Sequence, residues 1–386
     1  MFTRPNKISE HNFYMKLAFL QAKKNLGNTS TNPSVGCVIV KNKNLISASC
    51  TSLRGRPHAE VNAINFAKTN VKNSSLYVTL EPCSHYGKTS PCINLIIKKK
   101  IKKVYFSIKD PDARSFNKSS NALKRKNILV KEGLMSSDMK KFYSSYLKFK
   151  NNNLPFVSAK IAISKDCYTG CKKNKWITNI YSRKRGNLMR SSHDCIITSC
   201  KTIINDNPML NCRIKGLEPL SPTRIIIDKN LDIPLKSKVI GTANKYKTLI
   251  FYNRKKINKI KNLKKLNVKL IFLPLDLTEQ FNLKLLLKKI KDLGFSRVFL
   301  ESGLTLTTNF LRNKLIDDFH LFISDKKLIS MLLDAPANAS SLVVISPYFT
   351  KPPPIATMAA INAAIPASWS FILNFLSAIF QHLQFS

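Results

Sequence analysis

The chain has 386 residues, of which 44% are hydrophobic, so it can fill the cores of about two domains of ~150 residues each. This composition excludes disorder and fibrous architectures as descriptions of the whole chain. The 64 basic and 21 acidic residues give a net charge of +43. Such a charge favours polyanion binding, but Lys interleaved with Asn and Ile is also typical of a compositional bias that only inflates surface charge. We therefore expect affinity for phosphate and no nucleic-acid partner.

The nine cysteines are unevenly spaced, and no charged segment followed by an apolar one opens the chain. A secreted disulfide framework is not expected, so reduced thiols in a cytoplasmic protein are the default. Some of these thiols are then available to hold a metal ion.

The first 150 residues alternate between helical and strand-like patterns. Ser9 is a candidate N-cap for a helix in which the apolar residues Phe13, Leu17 and Leu20 recur at helical spacing, and Gly27 can close its end. A β-hairpin over 35–40 and 45–50, a helix over 58–69, strands over 76–80, 104–108 and 128–130, and helices from about Cys92 and over 136–149 follow. Strands alternating with helices predict an α/β domain with a central sheet.

Residues 148–155 predict a linker, and beyond it the alternation starts again. Strand-like runs cover 156–163, 195–204, 223–228, 248–252, 297–301 and 319–324, with helical periods over 182–191, 279–293 and 305–314. The sequence therefore predicts two α/β domains, one over residues 1–149 and the other over residues 150–330.

Residues 331–386 differ in kind, because they hold only Asp334 and Lys351 as charged residues and are rich in Ala and Pro. One interpretation is a membrane anchor, since residues 355–380 are uncharged over a length that could span a bilayer. The other, which we favour because Pro366 and Asn374 interrupt that run, is a tail that is not the natural end of the domain, for example after a shift of reading frame near residue 330. No membrane partner is expected.

The strongest chemical signal is Pro57-His-Ala-Glu60 followed by Glu81-Pro-Cys-Ser-His-Tyr-Gly-Lys-Thr-Ser-Pro-Cys92. His58, Cys83 and Cys92 can supply three ligands to zinc and leave the fourth position for water, as a catalytic site requires. Each lies at a predicted helix start or strand end, so the three can converge on one point. Glu60 can take a proton from that water and deliver it to a ring nitrogen and a leaving amine, which is hydrolytic deamination. For His85, a role near the substrate and an ordinary loop histidine are equally open.

These residues resemble the family of bifunctional riboflavin-biosynthesis deaminases and reductases. The segment Asn32-Pro-Ser-Val-Gly-Cys-Val-Ile-Val40, the triplet His58-Ala-Glu60 and the segment from Pro82 to Cys92, with eight residues between its cysteines, are similar to the deaminase half. The resemblance continues in Ala159 to Ser164, Trp176-Ile-Thr178, Arg190 to His193, Thr202 to Leu210, Arg224 to Asp228 and Glu301-Ser-Gly303. It implies a cytidine-deaminase-like domain followed by a dihydrofolate-reductase-like domain that uses NADPH.

The resemblance also implies roles for individual residues. It makes His58, Cys83 and Cys92 the zinc ligands and Glu60 the proton shuttle. NADPH would contact Ala162, Trp176, Thr202, Asp206, Gly303, Leu304 and Thr305, whereas the substrate would contact Asn174, Arg190, Leu210, Arg213 and Glu301. Arg190 and Arg213 suit the clamping of a ribose phosphate, because a guanidinium group matches phosphate oxygens and keeps its charge.

The expected function is two steps of riboflavin biosynthesis on a phosphorylated pyrimidine: zinc-dependent hydrolytic deamination of 2,5-diamino-6-(5-phosphoribosylamino)pyrimidin-4-one, then NADPH-dependent reduction of the ribosyl group to ribityl. Two alternatives stay open: a zinc deaminase of nucleic acid of the tRNA type, and a deaminase whose reductase half does not work. The second arises because the resemblance ends near Ser324, where the family would add further strands, so an incomplete reductase domain is expected. The sequence leaves a homo-oligomer open.

Overall fold

The chain divides into two compact units at the peptide bond between Pro155 and Phe156, with residues 293–296 grouped with the first. We describe it from a computed structural model, which covers residues 9–152, 154–165, 169 and 177–325. The predicted tail 331–386 lies outside the described residues. Within the described part of the chain, no helix is long and apolar enough to cross a membrane.

The first unit is built on a five-stranded sheet in the order β2-β1-β3-β4-β5. Strand β1 pairs antiparallel with both β2 and β3, whereas β3, β4 and β5 are parallel. The strands span Gly36–Lys41 (β1), Asn44–Cys50 (β2), Ser75–Leu80 (β3), Lys103–Ile108 (β4) and Leu129–Glu132 (β5). The predicted hairpin and strands of this half are confirmed.

Both faces of this sheet are covered, because alternate residues of each strand enter different cores. Cys37 and Ile39 of β1 enter one apolar cluster, and Val38 and Val40 enter the other. The helices span Glu10–Lys23 (α1), Ala59–Phe66 (α2), Cys92–Lys98 (α3), Lys118–Lys124 (α4), Ser136–Phe142 (α5) and Ser144–Asn151 (α6). Parallel strands covered by helices on both faces place the following loops at one edge, where a site can form.

Helix α1 lies directly against β1. A Cβ atom added to Gly36 would come within 1.9 Å of the carbonyl oxygen of Ala18, so only glycine permits this close approach. Ser9 caps α1 by accepting a hydrogen bond from the Asn12 amide, as predicted. The apolar spacing did not give the buried face, however, because Phe13 and Leu20 are exposed and the buried residues are Tyr14, Met15, Ala18 and Ala22.

The second unit is built on a seven-stranded sheet in the order β10-β9-β8-β7-β11-β6-β12, in which every described pair is parallel. The strands span Phe156–Ile163 (β6), Cys195–Ser199 (β7), Thr223–Ile227 (β8), Thr248–Tyr252 (β9), Val268–Phe272 (β10), Arg297–Leu300 (β11) and Asp318–Ile323 (β12). The helices span Ile180–Ser191 (α7), Cys200–Asp206 (α8), Lys238–Gly241 (α9), Ile257–Lys265 (α10), Leu283–Asp292 (α11) and Leu304–Arg312 (α12).

Several predicted boundaries were wrong. The strand predicted over 195–204 ends at Ser199, whose hydroxyl accepts from the Thr202 amide and caps α8. The single helix predicted over 136–149 is two helices that meet at Tyr143, and α6 continues to Asn151 into the predicted linker. The elements α4, α8, α9, α10 and β10 were not predicted.

Candidate active sites

The predicted zinc ligands lie at three element ends of the first unit. His58 is the N-cap residue of α2, Cys92 is the first residue of α3, and Cys83 follows β3 after two residues. Proline precedes each of them directly, at positions 57, 82 and 91. A proline at such a place ends a strand or starts a helix, so the local sequence fixes where each ligand leaves its element.

The three ligand atoms are spaced as a tetrahedral metal site requires. His58 Nδ1 lies 3.6 Å from Cys83 Sγ and 3.4 Å from Cys92 Sγ, and all three atoms lie within 4.8 Å of one another. Zinc bound at about 2.3 Å from sulfur and about 2.05 Å from nitrogen would separate those ligands by ~3.6 Å. The residues present therefore fit a zinc ion with three protein ligands.

The electrostatics of the cluster favour a deprotonated thiol. Hydrogen bonds from Cys92 and His58 lower the pKa of Cys83 to about 4, against the effect of its partial burial. The backbone amide of Cys92 also donates to Cys83 Sγ at 3.3 Å. A thiolate is the form in which cysteine binds a metal, so this sulfur is prepared for coordination.

Glu60 lies beside the cluster, in the first turn of α2. It is 4% exposed, and this burial raises the pKa of its carboxyl group to about 7, although the nearby His58 opposes the rise. A carboxyl group with a pKa near neutrality can both accept and release a proton at the working pH. Glu60 thus has the properties of a proton shuttle.

A cavity of about 330 Å³ opens over Glu60 and two of the candidate ligands, His58 and Cys83. One wall is the segment from Asp110 to Ser119, which follows β4. The Glu81 carboxylate accepts from the Asp110 amide at 3.2 Å, and the Ser119 hydroxyl donates to the carbonyl of Pro82 at 2.5 Å. This wall is therefore tied to the segment that carries Cys83.

An ion cluster on the same wall reaches the mouth of the cavity. Asp112 accepts from Arg114 at 2.6 and 2.9 Å and from Lys150 at 2.9 Å. The hydrogen bond from Arg114 is the main reason that the pKa of Asp112 lies far below its usual range. The carboxylate therefore stays charged and holds both cations.

His85, for which the sequence left two roles open, also lines the cavity. Its Nδ1 lies 2.7 Å from the hydroxyl oxygen of Ser115, which is fully buried in the wall. This contact fixes the ring and leaves Nε2 for the cavity, which favours a role near the substrate.

The second unit has a larger cavity, of about 770 Å³, at the carboxyl ends of its central strands. It brings together most of the predicted reductase residues, which come from β6, α8, the segment after α8 and the start of α12: Ala162, Thr202, Asp206, Leu210, Glu301, Gly303, Leu304 and Thr305, together with Arg190 of α7. Carboxyl ends of parallel strands are where such folds bind ligands.

At the centre of this cavity Arg190 and Glu301 form a two-pronged ion pair. The Arg190 Nε and Nη2 atoms each lie 2.9 Å from an oxygen of Glu301, and Nη1 donates to the carbonyl of Asn211. The guanidinium group is thus already engaged, which differs from the predicted phosphate clamp. Burial lowers the pKa of the adjacent Lys160, whereas the negative charge of Glu301 raises it.

Some predicted residues are not brought to the cavity. Arg213 is exposed and is absent from the cavity lining. Asn174 and Trp176 lie outside the described residues. The sequence did not single out the polar lining residues Ser199, Lys201, Asn205, Gln280, Ser302 and Asn309, nor Arg56, Asp112, Arg114 and Lys150 in the first unit. Of these, only Asn205 and Ser302 stood inside quoted segments.

Two family models match the chain. The cytidine and deoxycytidylate deaminase zinc-binding region matches residues 8–108, and the RibD C-terminal domain matches residues 155–328. Together with the zinc-type cluster and the second cavity, these matches define a two-domain enzyme, a zinc deaminase joined to a reductase. The two domains imply zinc and a nicotinamide cofactor.

Alignments with several relatives cover most of the chain. Riboflavin biosynthesis protein RibD of Aquifex aeolicus is 34% identical over 81% of this chain and 86% of its own length, and that of Actinobacillus pleuropneumoniae is 32% identical over 81% and 83%. The solved structure of Acinetobacter baumannii RibD has 30% identity and a TM-score of 0.74, covering 83% of this chain and 88% of its own. The chain belongs to the RibD family, the bifunctional deaminases and reductases of riboflavin biosynthesis.

Proposed function

We propose that the first unit deaminates 2,5-diamino-6-(5-phosphoribosylamino)pyrimidin-4-one and that the second unit reduces the ribosyl group of the product to ribityl with NADPH, in the cytoplasm. A solved Thermotoga maritima structure, 28% identical with a TM-score of 0.72 over 82% of this chain and 87% of its own, is titled diaminohydroxyphosphoribosylaminopyrimidine deaminase and 5-amino-6-(5-phosphoribosylamino)uracil reductase. The observation that carries the proposal is the cluster of His58, Cys83 and Cys92 with Glu60 beside it.

In the deamination step His58, Cys83 and Cys92 hold the zinc ion, and Glu60 moves the proton. A bound zinc ion supplies a Lewis acid that lowers the pKa of a coordinated water molecule. The Glu60 carboxylate, with its pKa near 7, accepts a proton from water and returns it to the pyrimidine as ammonia leaves. Its side chain is almost fully buried at the lining of the cavity, next to the candidate ligands.

In the reduction step the second cavity orients hydride donor and acceptor. Ala162, Thr202, Asp206 and the segment Gly303 to Thr305 hold NADPH, which supplies a hydride. Leu210 and Glu301 contact the pyrimidine substrate, and Arg190 keeps Glu301 charged and in place through its two hydrogen bonds. Lys160, beside Glu301, polarises the ribose carbonyl through its oxygen, so that the carbonyl carbon accepts the hydride. Asn174 and Trp176 complete the predicted set.

The test is to follow ammonia release and NADPH oxidation separately, with zinc-loaded protein and each pyrimidine supplied in turn. We expect Glu60→Gln to lower ammonia release by about 10²- to 10⁴-fold while the bound zinc is retained, because the ligands are unchanged. NADPH oxidation with the deaminated pyrimidine should be unaffected.

The control is Glu132→Gln, which removes an exposed carboxylate of the same unit outside the cavity. It should leave both activities at the wild-type level. Full ammonia release by Glu60→Gln would contradict the proposed shuttle, and ammonia without NADPH oxidation in the wild type would leave only a deaminase.

A further inference from the structure

The mouth of the deaminase cavity is unevenly charged. The catalytic groups lie at its base, where Glu60 and Cys92 are buried, whereas Arg56 is half-buried and Lys88 is exposed at the mouth. A pyrimidine whose reacting carbon lies at the base must therefore extend its phosphoribosyl arm toward the mouth. The question is which side of the mouth receives the phosphate.

On the wall side the two cationic side chains are paired with a carboxylate. Asp112 binds both Arg114 and Lys150, so the three groups together carry a single positive charge, and the carboxylate itself would repel a phosphate. Arg56 and Lys88 line the same cavity, and no carboxylate in the described part of the chain lies within ion-pair distance of either. These two residues therefore keep their full positive charges at the mouth.

The guanidinium group of Arg56 is held in place without losing its charge. Its Nη1 atom donates to the hydroxyl oxygen of Thr89 at 2.5 Å, and its Nη2 atom would lie 3.5 Å from a Cβ atom on Gly87. It therefore lies along the segment 87–89, whose middle residue is Lys88. Because only one of its donors is engaged by a neutral partner, the others remain for an anion.

We propose that Arg56 is a specificity-determining residue of the deamination step, which binds the phosphate group of the substrate at the mouth of the cavity. The inference rests on the proposed function of the first unit and adds to it the group that distinguishes a phosphorylated pyrimidine from its dephosphorylated form. Arg56 was not singled out by the sequence, since a single arginine before the Pro57-His58 motif carries no pattern of its own.

The experiment measures ammonia release from the phosphorylated pyrimidine and from its dephosphorylated form, using the full zinc-loaded chain. For Arg56→Gln we expect KM for the phosphorylated substrate to rise roughly 10- to 100-fold, as for the loss of a charged hydrogen bond, with kcat nearly unchanged. KM for the dephosphorylated substrate should equal that of the wild type. Arg56→Lys should recover part of the loss, because it restores the charge without the fork.

The matched control is Arg54→Gln, which removes an exposed arginine of the same loop that does not line the cavity. It should leave both KM values unchanged. An equal rise of KM for both substrates in Arg56→Gln would show that Arg56 only supports the loop, and unchanged values would show that it has no part in binding. Either result overturns the proposal.

A second readout does not depend on activity. Phenylglyoxal labels arginine side chains, and mass spectrometry gives the labelling rate of each one. Ribose 5-phosphate should slow the labelling of Arg56 and leave that of Arg54 unchanged. Equal rates with and without ribose 5-phosphate would refute the inference. If the wild type released no ammonia but Arg56 were protected, the proposed function would fail and the phosphate site would stand.

Discussion

His193 in the second unit should make the stability of that unit depend on pH. Its ring is 5% exposed and lies between β6 and the end of α7. Nδ1 lies 2.6 Å from the carbonyl oxygen of Met189, to which it donates, so Nε2 accepts from the hydroxyl of Ser158 at 2.9 Å. Both nitrogens are used by the neutral ring, and burial lowers the pKa of His193 to about 3, with a further contribution from the charge of Arg297.

The magnitude follows from the difference between this pKa and the unfolded value of about 6.5. The folded-state pKa is depressed, so the unfolded chain takes up a proton as the pH falls through 6.5 and the folded chain does not until about pH 3. Stability is thus full above pH 6.5 and is lost below it. Between pH 7 and pH 5 the expected loss from His193 is about 2 kcal/mol.

The assay is chemical denaturation at several pH values from 7 to 5, with hydrogen exchange of β6 and α7 peptides to assign the unfolding to this unit. His193→Asn should lower stability at pH 7 but lose about 2 kcal/mol less than the wild type on going to pH 5. Ser158→Ala removes one hydrogen bond and keeps the imidazole, so it should retain the wild-type pH dependence. An equal loss in wild type and His193→Asn would refute the reasoning.

Two further substitutions test a buried side chain of the second unit and the metal site of the first unit. Arg224 is fully buried and donates to three backbone carbonyls and two threonine hydroxyls. Arg224→Met should therefore lower the free energy of unfolding by at least about 3 kcal/mol. As a control, the substitution Arg254→Met at an exposed position should change the thermal midpoint little. Cys92→Ser should reduce zinc in the purified protein well below one ion per chain by metal analysis, and Cys50→Ser should keep it. A stable Arg224→Met protein, or a zinc-loaded Cys92→Ser protein, would contradict the roles given to these residues.

The sequence predicts the long elements well because their periodicity reflects burial. Strands β1 and β3 are nearly continuous apolar runs in the sequence, and in the structure they contribute residues to apolar clusters on both faces of the sheet. The prediction from sequence fails where large apolar side chains are exposed. On α1 the large residues Phe13 and Leu20 face solvent whereas Tyr14 and Met15 are buried, so the helix packs through a face offset from the one that the apolar spacing predicts.

The two cavities differ in how far the sequence can predict them. In the first unit each candidate ligand follows a proline and lies at an element end, so a short pattern carries the geometry. In the second unit the central residues are distant in sequence, and pairing of strands brings them together. Leu300 of β11 pairs with Ala159 of β6, so the next residues, Glu301 and Lys160, meet beyond the paired positions. Which residues of two paired strands lie side by side depends on the register of the strands, and a local sequence pattern does not show that register.

The same register explains why Arg190 does not serve as a free clamp. Glu301 and Lys160 come together at one edge of the sheet, where both are partly buried, and a partner that binds both oxygens stabilises such a carboxylate. Arg190, from α7, is this partner through two parallel hydrogen bonds, and the lysine adds its charge to the same carboxylate. Removing Arg190 would leave Glu301 less well paired, so its effect on reduction acts through the carboxylate. A loss of activity in an Arg190 variant therefore measures the charge state and position of Glu301, and binding of phosphate must be tested elsewhere.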